Sequence, residues 1–255
     1  MKTSTFCVVL CLSVIQSFAQ RSDYCKPTLC QSGRHIGCGN KNQYALTCPK
    51  DAKIVNRENY KNVFVNEHNR VRNIIATGNL VGYYPAMRMA TVTWDNELAR
   101  LAEMLVKTCI SSYDECRNTD RFSAVGQNIA STTIIGSYSV AKLIEDTVDK
   151  WFKEHSIINR SYVSTYKMDD NFNTSRHFAQ LALSRATRVG CAIIEFTDGT
   201  RTRVNVVCNY SARPMHNQAL YTEGCSVAQC LQGHNTNFQG LCTQSELIDP
   251  NNYIY

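Results

Sequence analysis

Cysteines are the residues of this 255-residue chain whose type and spacing first suggest chemistry. Of thirteen, Cys7 and Cys11 fall in an opening made of Met1-Lys2, a polar patch and the apolar run Phe6–Phe18, which closes on Ser17-Phe18-Ala19. That is the build of a secretory leader cleaved after residue 19. It predicts export and leaves eleven mature cysteines: 25, 30, 38, 48, 109, 116, 191, 208, 225, 230 and 242. Thiols in an exported chain oxidise to disulfides, and an odd number leaves one over. No pair has the C-x2-C spacing of a structural zinc site. Cys191 and Cys208 lie at similar distances on either side of Asp198-Gly199, a dipeptide suited to the positive φ angles of a tight turn. The flanking runs Arg188–Phe196 and Arg203–Tyr210 are rich in β-formers, so the two thiols can face each other across a hairpin and be oxidised together. No Ser-His-Asp or Cys-His arrangement stands out.

Removal of the leader leaves 236 residues of the 255, enough for one large domain with extensions. The mature chain carries 26 basic residues (the 27 less Lys2) against 21 acidic, scattered rather than blocked. Scattered charge reads as a solvated surface and argues against nucleic-acid binding. No stretch reaches the length and apolarity of a membrane span. Residues 20–55 are dense in cysteine and turn formers, so disulfides must hold them. Tyr60, Phe64, His68, Val71 and Ile75 form one helical stripe within Asn56–Thr77, with Gly78 as its stop and His68 as a packed core residue. Met89–Thr93 reads as a short strand. Asp95 then caps a helix whose buried face is Leu98, Leu101, Ala102, Leu105 and Cys109. Ser137 or Ser139 caps a third helix with the stripe Val140, Leu143, Ile144, Val148 and Trp151. Residues 160–175 read as a polar loop and 211–255 as a tail. Helices on both faces of a small antiparallel sheet give an α+β, three-layer α-β-α sandwich.

The order His177-Phe-Ala-Gln180, Val189-Gly-Cys191, Val207-Cys-Asn-Tyr210 resembles the signature of the CAP superfamily of cysteine-rich secretory, antigen 5 and pathogenesis-related proteins. Trp94-Asp-x-x-Leu-Ala and His68-Asn69-x-x-Arg72 fit the same pattern. Tyr24-Cys-x4-Cys followed by His35-Ile-Gly-Cys38 resembles the amino-terminal extension of insect antigen 5 proteins. The spacing Cys230-x11-Cys242 resembles the closing pair of dipteran ones. The resemblance implies the pairs Cys25–Cys38, Cys30–Cys116, Cys48–Cys109, Cys191–Cys208 and Cys230–Cys242, with Cys225 left over. It divides the chain into a leader (1–19), a cysteine-rich extension (20–55), a CAP domain (56–212) and a tail (213–255).

Many CAP proteins hold two His and two Glu in a cleft able to bind zinc. By resemblance those four positions are Tyr113, Gln127, Glu154 and His177, so one imidazole and one carboxylate are replaced by a phenol and an amide. Half the ligands are gone, and the expectation is a vestigial cleft in which Tyr113, Gln127, Glu154 and His177 form a buried polar network without metal or catalysis. His155 cannot substitute, because adjacent helical residues point about 100° apart. The alternative is a secreted enzyme that uses a divalent metal in the degenerate cleft.

The disulfide-closed loop Cys30–Cys38, where some blood-feeding fly relatives carry Arg-Gly-Asp, reads Ser32-Gly33-Arg34, so integrin binding by that route is not expected. The resemblance offers instead a channel between helices for a small hydrophobic ligand, a fatty acid or eicosanoid, here near Ile74, Ile75, Ile144, Val148, Tyr83 and Tyr84. An extracellular protein is the other partner it implies. The expected role is that of a secreted antigen 5-like binding protein: an allergen and modulator of immunity or haemostasis if salivary, a reproductive or gut protein otherwise. Sequons at Asn159 and Asn173 predict glycosylation; a third, at Asn209, lies in a core strand. Cys225 predicts a disulfide-linked homodimer or a capped thiol.

Overall fold

The computed structural model describes residues 23–168 and 172–252, so the leader lies outside the described residues. The hairpin is the centre of the sheet. Strand β4 (Arg188–Asp198) pairs antiparallel with β5 (Arg201–Tyr210), and β5 pairs in turn with β3 (Gly126–Ile134). Two short strands share the far edge of β4: β1 (Lys53–Ile54) runs antiparallel to it and β2 (Thr93–Trp94) parallel. Of the Asp-Gly pair only Gly199 lies in the turn, at φ +66°, while Asp198 ends β4.

Helix α2 (Asn96–Val106) covers one face of the sheet; α1 (Lys61–Ala76), α3 (Val140–Lys153) and α4 (Phe172–Ala182) cover the other. This is the α+β, three-layer sandwich expected. Asp95 caps α2 by accepting from the N–H groups of Glu97 and Leu98, both at 3.0 Å. Ser139, rather than Ser137, caps α3. Helix α2 lies so close to β4 that a Cβ on Gly190 would sit 2.3 Å from Ala99 N. Only glycine fits there.

Four expectations are corrected. Helix α1 starts at Lys61 rather than Asn56, because the Asn56 side chain accepts from Glu58 N and starts a 3-10 turn instead. Residues 89–92 are not a strand: the Asn69 side-chain amide bonds both N–H and C=O of Val92, at 2.9 and 3.0 Å, and does the work of a neighbouring strand. Cys109 is not on the face of α2, which ends at Val106; it has a left-handed φ of +59°. Residues 160–175 are no simple polar loop. They contain a 3-10 turn at Arg160–Tyr162, the buried Val163 and Tyr166, and the start of α4. Tyr166 is held against the tail by backbone bonds to Asn217 and Gln218.

The extension also buries more than its composition suggests. Tyr24 and Leu29 pack on Leu101 and Met104 of α2, and the Tyr24 ring stacks on His35 at 4.7 Å. The structure joins Cys25 to Cys38, Cys30 to Cys116, Cys48 to Cys109, Cys191 to Cys208 and Cys230 to Cys242. Cys225 is free and exposed.

Candidate functional site

His177, on the inner face of α4, is the centre of a three-residue chain of hydrogen bonds. Its Nδ1 lies 2.6 Å from Oε1 of Glu154, just past the end of α3. Its Nε2 lies 2.9 Å from the hydroxyl of Tyr113, in the loop after α2. A carboxylate only accepts, so Nδ1 carries the ring proton and Nε2 accepts the hydroxyl hydrogen; this tautomer is assigned from the partners. The second oxygen of Glu154 accepts from the backbone N–H of His177 and Phe178. Trp151 of α3 stacks on the imidazole, 5.9 Å between centroids. Burial pushes the Tyr113 phenol above its ordinary pKa, and the Arg176 guanidinium, 3.9 Å above the ring centroid, opposes that shift. The phenol therefore stays protonated at neutral pH and remains a donor.

Gln127 does not join this chain. Its amide donates to Asn209 Oδ1 at 2.9 Å, and Asn209 donates to Leu98 O of α2 at 3.0 Å. The reason is the period of two along a strand. On β3 it is the next residue, Asn128, that reaches α4, donating to His177 O at 3.2 Å. The expected four-residue network is thus a three-residue one, with Gln127 in a second cluster. Sequence reasoning missed Asn128, although it sits inside the Gly126-Gln127-Asn128 motif.

Two other histidines, His68 and His155, are held apart from His177. His68 is buried between Phe64 O, at 2.7 Å, and the Tyr210 hydroxyl, at 2.8 Å. Burial lowers its pKa to about 4, so it is neutral at pH 7. His155 is turned into an aromatic cluster with Tyr83, Phe152 and Phe178, away from His177.

The donor set does not fit zinc. Both ring nitrogens of His177 have protein partners, Glu154 is bonded to that ring, and Gln127 is a neutral amide facing Asn209. Among the described residues no group of three or more His, Cys, Asp or Glu converges on one point. What borders the chain is a cavity of about 460 Å³ walled by Tyr113, Val125, Gln127, Tyr166 and Met215, with Arg176, Arg213 and His216 as basic groups and Asp114 and Glu115 as acidic ones. A third arginine of the wall, Arg117, is paired with Asp114.

Of the six residues expected near a channel between helices, Ile75, Ile144 and Val148 have no accessible surface, whereas Ile74 and Tyr83 are half-buried and Tyr84 is exposed. Asn159 is exposed. Asn173 falls in the first turn of α4, with its side chain outside the described residues. Asn209 is wholly buried, so a glycan on it is incompatible with this fold. Among the described residues no helix is long and apolar enough to cross a membrane.

This fold and these motifs carry a family match: residues 65–210 match CAP, the cysteine-rich secretory protein family, and the chain belongs to that family. It is 34% identical over 234 residues to "Venom allergen-1" of Aedes aegypti, covering 91% of each chain. It is 38% identical over 197 residues to "Antigen 5 like allergen Cul n 1" of Culicoides nubeculosus, covering 73% of this chain and 89% of that one. The fold is shared with a crystal structure of NaASP2 with Zn2+, at TM-score 0.60 and 22% identity over 77% of this chain and all of that one.

Proposed function

We propose that this protein is a secreted, non-enzymatic antigen 5-like binding protein whose cavity beside Tyr113 receives a small hydrophobic anion of the fatty-acid or eicosanoid kind. One observation carries this reading: His177, its two ring nitrogens already bonded, leaves a cavity with aromatic and aliphatic walls in which Arg176, Arg213 and His216 outnumber the one carboxylate, Glu115, that is not paired with Arg117. Tyr113, Tyr166 and Met215 offer apolar contact for a hydrocarbon chain, and Arg176 and Arg213 offer charge to a carboxylate. Capture of such a ligand needs no metal and no reacting group. Five disulfides and the leader-like opening support an extracellular site of action. The relatives named as allergens support an immune-modulating or allergenic role.

Calorimetric titration of the secreted protein with oleate, beside elemental analysis for zinc, tests this. The expected result is saturable binding of oleate, weakened at least several-fold by Arg176→Ala, and no stoichiometric metal. Tight zinc at neutral pH that disappears in His177→Ala would overturn the non-enzymatic reading in favour of a metal-dependent enzyme. Oleate binding unaffected by Arg176→Ala and by a cavity-filling Val125→Trp would remove the ligand from this cavity.

A further inference from the structure

Strand β3 forms one edge of the sheet, and which of its backbone groups face outward follows from three observations. Cys191 and Cys208 are directly opposed with Cα atoms 4.1 Å apart, the close spacing of a pair that exchanges no backbone hydrogen bonds. The N–H and C=O of Cys208 therefore point to β3, where its partner is Asn128. The backbone groups of Asn128 then point inward to β5, and those of Ile129 point outward. Independently, the indole N–H of Trp151 donates to Ile129 O at 3.4 Å from outside the sheet. The Ile129 backbone also acts on the phenol of Tyr113, lowering its pKa as an outward N–H would.

With the phase set, the outer edge of β3 presents Gln127, Ile129, Ser131 and Thr133 in order. Gln127 borders the cavity, and Ile129 is blocked by Trp151 and Tyr113. The edge opens at Ser131 and Thr133, both exposed. Among the described residues no hydrogen bond outside the β5 ladder reaches the backbone of either. Ile135, next along the chain, is 79% exposed.

An open edge of this kind is normally blunted by a charge, a proline or a bulge. Here the whole stretch Val125–Ser139 contains no charged residue and no proline. The nine-residue pairing of β3 with β5 runs without a bulge. Threonine and isoleucine at the open end are strong β-formers. Of the nearby charges, Lys142 is matched with Asp146 and Arg203 with Asp198, and Arg201 lies on β5 rather than on the edge strand itself.

We infer that the open edge of β3, Ser131–Ile135, is an interaction surface that pairs antiparallel with the same edge of a second copy of this chain. Two copies related by a twofold axis bring the same uncharged segment against itself, so no like charges oppose one another at the seam. Trp151 and Tyr113 stop the pairing at Ile129 and so limit its length. The contact is small, and association is accordingly weak and concentration-dependent. It is non-covalent and distinct from any link through Cys225, which lies in the tail.

Sedimentation equilibrium of a Cys225→Ser protein over a wide concentration series is the test, since that background removes intermolecular disulfides. The expected average mass climbs from monomer toward dimer as concentration rises. Thr133→Pro deletes an outward N–H without touching the β5 ladder, and Thr133→Lys places a charge at the seam. Both are expected to hold the mass at monomer, with Thr133→Lys, which faces Arg203 across the β5 ladder, lowering the melting temperature only slightly. If Thr133→Pro fails to fold, Thr133→Lys alone decides. A protein monomeric throughout the series overturns the inference, and so does association that persists in the lysine variant.

Discussion

Arg72→Met is the substitution that most directly tests how α4, and with it His177, is held. Arg72 is 1% exposed, and among the described residues no carboxylate is paired with its guanidinium. It donates instead to backbone carbonyls: Ala90 O from Nε and Nη2, Leu181 and Leu183 O from Nη1, both at 2.8 Å, and Ser184 and Ala186 O from Nη2. Leu181 and Leu183 flank the end of α4, so the cation also sits at the negative end of that helix. Burial lowers the pKa of this group to about 9, which leaves it charged at pH 7. Methionine fills much of the volume but donates nothing, leaving five buried carbonyls without this partner. Leu183 O and Ser184 O keep backbone donors, so at most three carbonyls are orphaned, at about 1–3 kcal/mol each; release of a buried cation offsets part of that sum, and we expect about 3–5 kcal/mol. At about 2–4 °C per kcal/mol for a domain of this size, the melting temperature falls by roughly 6–20 °C. Calorimetry or circular dichroism reads the shift, and amide exchange should show the end of α4 opening first. Arg72→Lys, one point charge for a planar fork, should recover only part of the loss. A methionine variant within about 1 kcal/mol of the parent would refute the account.

Replacing His177 with alanine breaks the Tyr113–His177–Glu154 chain and should cost roughly 1–3 kcal/mol in denaturant unfolding. His68 makes the protein acid-sensitive. It protonates near 6.5 in the unfolded chain but only near 4 in the fold, so stability present above pH 6.5 is lost as pH falls toward 4. That loss is about 3 kcal/mol, and a His68→Gln variant should flatten the curve over that window. The exposed Cys225 should yield a dimer band or a capped thiol on non-reducing electrophoresis, abolished by Cys225→Ser; a dimer band surviving that change would exclude the thiol. Enzymatic deglycosylation should reduce the mass at Asn159, and the peptide bearing Asn209 should be found unmodified in folded protein.

Much of the frame could be read from local chemistry. The hairpin announced itself through Asp198-Gly199 and two equally spaced cysteines, and α2 and α3 through the caps Asp95 and Ser139. Strand β3 was missed because its first three residues, Gly126-Gln127-Asn128, are turn formers by composition, and their burial depends on contacts with β5 and α4 distant in sequence. The run 89–92 looked like a strand because it is extended. What pairs with it are two side chains of α1, Asn69 at Val92 and Arg72 at Ala90, and single backbone bonds with Ser184 and Cys242, partners that no periodicity reveals. Tyr166 and Val163 are buried for the same kind of reason, by a tail more than fifty residues away.

At the site, the positions were legible and the orientations were not. Tyr113, Glu154 and His177 meet as their pattern implied, but Gln127 and Asn128 differ in the parity of one strand, and parity is set by the whole sheet. The two replaced groups make physical sense together. A phenol at position 113 gives the Nε2 lone pair of His177 a donor, which spares a buried acceptor from standing empty without a bound ion. An amide at 127 donates to Asn209 Oδ1, while Asn209 spends its own N–H on Leu98 O. A carboxylate at 127 would set oxygen against oxygen there, and turning Asn209 to relieve it would strip the bond to α2. Each replacement closes a hydrogen bond within the protein, at Tyr113–His177 and at Gln127–Asn209, and the amide oxygen of Gln127 is the one polar atom of the pair left without a partner among the described residues.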